Sequence, residues 1–154
     1  MISIQLAEQK DLKEILNLQK LAYESEARLY NDWSLPALTQ DIESILVEFS
    51  NSVFLKALNK NKIVGSIRAK TVSNICEIGR LIVHPEHQRL GIGTQLLEAI
   101  EKTSAKAHRY ELFTGSLSEG NIRLYQRNGY VITETKPLSK TISITYMEKY
   151  VVKL

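Results

Sequence analysis

EIGRLIVHPEHQRLGIGTQLLEAI, residues Glu77 to Ile100, is the stretch on which the reading of the whole chain turns. An apolar run from Ile75 to Val83 predicts a strand. His84 to Leu90 is a polar loop broken by Pro85. Gly91-Ile92-Gly93 then leads into a helical pattern, with Leu96, Leu97 and Ile100 on one face. Strand, glycine loop and helix together form a design for holding an anion. Glycines let the backbone curl closely, and the first turn of a helix carries free N–H groups and partial positive charge. Successive N–H groups in such a nest can grip a pyrophosphate.

Two common phosphate loops do not fit. A P-loop needs Lys and Ser/Thr after its second glycine, whereas Gly93 is followed by Thr94 and Gln95. A Rossmann fingerprint needs a third glycine where Leu96 stands, directly after the strand. Glu111 sits near that fingerprint's acidic position, a chance match of one element. A third pattern fits. Gln88-Arg89-Leu90-Gly91-Ile92-Gly93 resembles the Q/R-x-x-G-x-G/A signature of the GNAT superfamily of N-acetyltransferases. Leu81-Ile82-Val83-His84-Pro85 looks like that family's fourth strand and its exit. The resemblance implies that Gln88 to Thr94 binds the pyrophosphate of acetyl-coenzyme A. It also implies that Leu81, Ile82 and Val83 offer backbone groups to the cofactor's arm, one N–H being aimed at the thioester oxygen.

Composition sets the bounds around this stretch. The 154 residues suffice for a single domain with one core, read here as residues 1–154. A hydrophobic content of 44% and a charged content of 24% are those of a soluble globular protein. The net charge of +3 comes without a basic run or stripe. It therefore does not argue for nucleic acid, and it suits an anionic cofactor. Cys76, the single cysteine, has no disulfide partner in the chain and fits a reducing compartment. The N-terminal residues lack the pattern of a signal peptide, and no apolar run approaches a membrane span. A cytoplasmic protein without membrane contact is the expectation, with a homodimer left open.

Outward from the central stretch, Ile2, Ile4 and Leu6 alternate as a first strand. Leu12, Ile15, Leu16 and Ala22 mark a helix running to about Leu29. Pro36 opens a second, amphipathic helix carrying Leu38, Ile42, Ile45, Leu46 and Phe49. Val53 to Leu58, Ile63 to Val72 and Ile75 to Val83 are consecutive strands joined by short turns, hence antiparallel. The helix after Gly93 reaches about Ala107, and Tyr110 to Thr114 follows as a strand, parallel through the crossover. Ser118 is the expected N-cap of a helix from Glu119 to Arg127, closed by Asn128-Gly129. Tyr130 to Lys136 and Thr141 to Tyr150 are the last strands. The order is β α α β β β α β α β β: an α+β fold with a mixed, mostly antiparallel sheet and helices on both faces. That is the GNAT order, and the resemblance covers nearly the whole chain.

Ser118 to Tyr130 is similar to the family's N-x-x-A-x-x-L-Y-x-x-x-G-F/Y segment. Leu124-Tyr125 and Gly129-Tyr130 match in place, while the family's Asn position falls on Ser118. Asn121, one helical turn on, is the substitute contact to the cofactor arm. The resemblance makes Tyr125 the general acid that protonates the leaving thiolate; a lone Tyr otherwise packs helix on sheet. Glu77 precedes Gly91 by the interval at which some GNAT enzymes carry a catalytic base. A solvent-facing Glu at a strand's start is an equal alternative. In simple alternation Glu77, Gly79, Leu81 and Val83 share one strand face. His84-x-x-His87 lacks the further ligands of a metal site and reads as a solvated loop; no metal is expected.

Acceptor residues are implied by the family in the first two helices and their connection and in the loop between the last strands. Here these are Tyr23, Glu26, Tyr30, Asp32 and Trp33, with Pro137-Leu138-Ser139. Acidic and aromatic groups together suit a cationic amine, small or peptide-borne. The expected activity is direct acetyl transfer from acetyl-coenzyme A, as cosubstrate, to a primary amine in a ternary complex. The alternative is a GNAT-like domain that holds an acyl-coenzyme A as a sensor without turnover.

Overall fold

A computed structural model of the protein describes residues 1–151. The strands are β1 (Ile2–Leu6), β2 (Val53–Asn59), β3 (Lys62–Val72), β4 (Ile75–Val83), β5 (Arg109–Gly115), β6 (Val131–Pro137) and β7 (Ser143–Tyr150). The helices are α1 (Leu12–Tyr30), α2 (Pro36–Thr39), α3 (Ile42–Asn51), α4 (Ile92–Thr103) and α5 (Glu119–Arg127). The seven strands form one sheet in the order β1-β2-β3-β4-β5-β7-β6. All neighbours are antiparallel except β4 and β5, which the α4 crossover makes parallel. This is the mixed GNAT-like sheet that the pattern implies. Among the described residues no helix is long and apolar enough to cross a membrane.

Two apolar clusters hold the sheet between helical layers. On one face Ile92, Leu96, Leu97 and Ile100 of α4 pack with Ala57, Val64, Ile67, Cys76 and Ile78, and with Tyr125 of α5. On the other face Leu12, Ile15, Leu16 and Leu18 of α1 pack with Ile45 of α3 and with Phe54, Ile63 and Ile82. Leu96, fully buried, contributes about 2–3 kcal/mol by its removal from water.

The second helix of the sequence reading is in fact two. α2 ends at Thr39, and Asp41 then accepts the Ser44 N–H at 2.9 Å, starting α3 as a new N-cap. An apolar periodicity that continues across a break does not reveal it. The fourth helix is also shorter than expected, ending at Thr103.

β4 departs from simple alternation. Ser66 pairs with Ile82, and Arg68 with Gly79, so β4 holds one residue more than β3 between these pairs. Arg80 takes φ 49° within this bulge. Beyond it Leu81 and Val83 join the α4-side cluster, with Cys76 and Ile78, while Ile82 joins the α1 side. The expected grouping of Glu77 with Leu81 and Val83 is therefore overturned by the bulge.

Candidate active site

β4 and β5 pair only from Ile75 to Glu77 and from Arg109 to Glu111. Beyond Glu77 the two strands diverge, β4 staying with β3 and β5 with β7. Among the described residues the β5-facing edge of β4 has no strand partner from Ile78 onward, which leaves backbone groups there to be satisfied otherwise. A cavity of about 610 Å³ opens at this separation. Leu81, Ile82 and Val83 form one wall, and Gly120, Asn121, Arg123, Leu124 and Arg127 of α5 form another. Ala22, Tyr23, Ser25 and Glu26 of α1 close one end.

The remaining wall is the loop into α4. His87, Gln88, Arg89, Gly91, Ile92, Gly93 and Thr94 all reach the cavity. Arg89 at φ 65° and Gly91 at φ 81° curl the chain, and Gly91 is the N-cap of α4. Glycine there leaves the first-turn N–H groups without a capping side chain, free to donate to an anion. Leu90 alone of this segment points away, with 63% of its surface exposed. Arg89, Arg123 and Arg127 give the cavity three fixed positive charges, against one carboxylate, Glu26. Such a wall suits a polyanionic cofactor. Arg123 and Arg127 escaped the sequence reading. Their i, i+4 spacing on α5, on the face of Gly120, is the signal that marks them.

Glu26 anchors a polar chain linking α1 to α5. Ser118 Oγ donates to Glu26 Oε2 at 2.6 Å. It accepts in turn from the Tyr30 hydroxyl at 2.7 Å, whose oxygen receives the Leu117 N–H at 3.0 Å. Burial raises the Tyr30 phenol above its ordinary pKa, so it serves as donor throughout. Ser118 is at the N-cap position, but its side chain does not cap α5 as expected. It is spent on Glu26 and Tyr30. Asn121 Nδ2 meets Thr114 Oγ1 at 3.3 Å and lines the cavity.

The other candidate residues lie in different settings. Tyr125 is buried, off the cavity wall, edge to face with Tyr130 at 6.1 Å between ring centroids. Burial pushes its phenol well above the ordinary value, with Tyr23 and Glu26 acting in the same direction. Those two neighbours both line the cavity. Glu77 is exposed and off the wall, at the last position where β4 and β5 still pair. Tyr30 is buried behind the wall. Trp33 is 55% exposed and stands under the Arg28 guanidinium at 5.8 Å. Asp32 Oδ2 accepts from Thr141, tying the end of α1 to the β6–β7 loop. Burial raises the Cys76 thiol, which leaves it a poor nucleophile.

The sequence profile of the acetyltransferase (GNAT) family matches residues 12–130. The chain belongs to that family. Its fold is similar to that of the PaiA N-acetyltransferase from Thermoplasma acidophilum in complex with coenzyme A. That likeness has a TM-score of 0.84 at 21% identity, over 98% of this chain and 99% of that one. It is also similar to the ribosomal-protein-S18-alanine N-acetyltransferase from Escherichia coli, with a TM-score of 0.82 at 15% identity over 100% and 96% of the two chains. In sequence it is 27% identical to the UPF0157 protein YqkA of Bacillus subtilis over 138 residues, 90% of this chain. The matched region spans 40% of that relative's length. The GNAT signature at Gln88–Gly93, Leu90 excepted, thus lines the 610 Å³ cavity of a GNAT fold.

Proposed function

We propose that this chain is an N-acetyltransferase, working as one domain, that transfers the acetyl group of acetyl-coenzyme A to a primary amine within a ternary complex. The observation that carries the reading is the separation of β4 from β5, which opens onto the uncapped N-terminus of α4. In this reading the pyrophosphate lies on Gln88 to Thr94, with Arg89, Arg123 and Arg127 around the phosphates. The pantetheine arm runs along the free edge of Leu81 to Val83, paired as a further strand would be. Asn121 contacts the arm from α5.

The amine nitrogen attacks the thioester carbonyl carbon, and a β4 N–H near the bulge receives the developing oxyanion. The C–S bond then breaks, and Tyr125 gives its proton to the leaving thiolate. Before that attack the ammonium form of the acceptor, held by Glu26 at the α1 end, gives one proton to Glu77 through solvent, and the proton left on nitrogen after attack passes through solvent to the Tyr125 phenolate. Tyr23 forms the adjoining wall. Direct attack is favoured over a covalent relay because Cys76, the chain's one thiol, is buried in the α4-side cluster.

Calorimetric titration with acetyl-coenzyme A, beside Gly91→Glu, tests this. A Cβ at Gly91 meets no atom within 4 Å, so the new side chain has room. It would place a carboxylate against the pyrophosphate on a backbone at φ 81°. Micromolar-range binding, about −8 kcal/mol, lost in the variant, is the expected result. No binding by the natural chain overturns the reading. Binding without thiol release on any amine would favour the sensor alternative.

A further inference from the structure

The bulge in β4 presents one side chain that the chemistry above does not use. At φ 49° Arg80 occupies the left-handed region, where a long side chain is uncommon. Its side chain emerges on the α1–α3 side. There its guanidinium carbon lies 5.9 Å from the Tyr23 ring centroid, and it lines a second cavity of about 420 Å³ with Asp41, Ser44 and Glu48. Tyr23 lines the first cavity and Arg80 the second, so the contact between them joins a wall residue of each. Leu81, the next residue, is already on the cofactor wall.

A guanidinium has five N–H donors and remains charged at any physiological pH. Arg80 Nε is buried without a hydrogen-bond partner, and among the described residues no carboxylate forms an ion pair with the group. The two acids in the second cavity are engaged elsewhere. Asp41 caps α3, and Glu48 pairs with Arg68 at 3.1 Å while accepting from Gln40. Buried polar groups are ordinarily satisfied, so an unused, half-buried cation beside the acceptor's entry asks for an anion. Arg68 is close enough to add like charge, which sharpens that need.

Resting on the acetyltransferase reading, we propose that Arg80 selects the acceptor: the substrate is an amine that also carries a carboxylate, as an amino acid does, and Arg80 receives that carboxylate. The planar fork matches a carboxylate's two oxygens. The amine then points along β4 toward the thioester, at the Glu26 end of the main cavity. A polyamine or other purely cationic acceptor would meet an unneutralised charge at the same point and is disfavoured.

The test is a thiol-release panel of amino acids, each beside its decarboxylated amine and its amide, with the natural chain, Arg80→Met and Arg80→Lys. Acetyl-coenzyme A titration accompanies each variant. The expected result is a preference for the acids of at least about tenfold in kcat/KM. Arg80→Met should lose it through KM, with the amine comparators within about twofold and cofactor binding unchanged. Arg80→Lys should recover part of it, keeping the charge without the fork. Equal or better use of the decarboxylated amines, or an Arg80→Met profile like that of the natural chain, overturns the proposal. Should no panel member turn over, thermal shift of the coenzyme A complex decides: a larger shift with acids than with amines, lost in Arg80→Met, supports it, and equal shifts overturn it. Absence of acetyl-coenzyme A binding would instead sink the acetyltransferase reading.

Discussion

Tyr125 and Ser118 show how far a side chain's surroundings decide its chemistry. Tyr125 sits among Tyr130, Ile122 and the α4 cluster, and that burial raises its phenol above the ordinary value. The sign matters for catalysis: raising the pKa favours the protonated form, so the donor persists into the alkaline range. The pH profile of kcat should therefore show no descending limb from this group below about pH 10. Tyr125→Phe should lower kcat by about 100-fold or more, the usual worth of a positioned acid, with the acetyl-coenzyme A dissociation constant unchanged. Steady-state kinetics beside titration calorimetry would check this, and full turnover by the variant would remove Tyr125 from the acid role. Ser118 stands where a cap is expected, yet its hydroxyl serves residues 88 and 92 positions away. No local pattern reports such partners.

At the scale of elements, α4 carries the Gln88–Gly93 loop at its N-terminus, and its own seat on the sheet is at Gly65 of β3. A Cβ there would lie 3.0 Å from the Ile82 carbonyl oxygen, 3.0 Å from Leu96 Cδ1 and 3.2 Å from Ile92 Cγ2. The carbonyl belongs to a paired strand and cannot yield easily, so the helix must move. Gly65→Ala should destabilise the fold by about 1–3 kcal/mol, the range for overpacking a filled core. It should also weaken acetyl-coenzyme A binding severalfold, because displacing α4 displaces its first-turn N–H groups. Urea unfolding and titration of the same sample would check both effects. Unchanged stability would mean that α4 has slack against β3. The β4 bulge acts at the same scale: one extra residue moves Leu81 and Val83 to the α4 side and leaves Arg80 on the other.

Across the whole molecule, the parting of β4 and β5 divides the sheet into two parts joined at Ile75–Glu77 and Arg109–Glu111. A cofactor lying in that gap, as proposed, would bond to both parts and bind the folded state alone. Acetyl-coenzyme A at 100 times its dissociation constant should then add about 2.7 kcal/mol. For a domain of this size that is a rise in Tm of roughly 5–10 °C, readable by scanning calorimetry. No shift at saturation would place binding outside the fold's cooperative unit.

The amino-acid sequence by itself determined most of the elements and the glycine loop before α4. β4 at Ile75–Val83 and α5 at Glu119–Arg127 fall where periodicity and glycine positions put them, and Gln88–Gly93 is legible as a motif. These follow from neighbours a few residues apart, whose side-chain spacing and backbone freedom act locally. Tertiary structure alone decided the bulge at Arg80, the link from Ser118 to Glu26, and the joining of Tyr23, Arg123 and Arg127 around one cavity. Each of these depends on which distant strand or helix lies alongside, and apolar periodicity carries the same signal whether or not that neighbour is present.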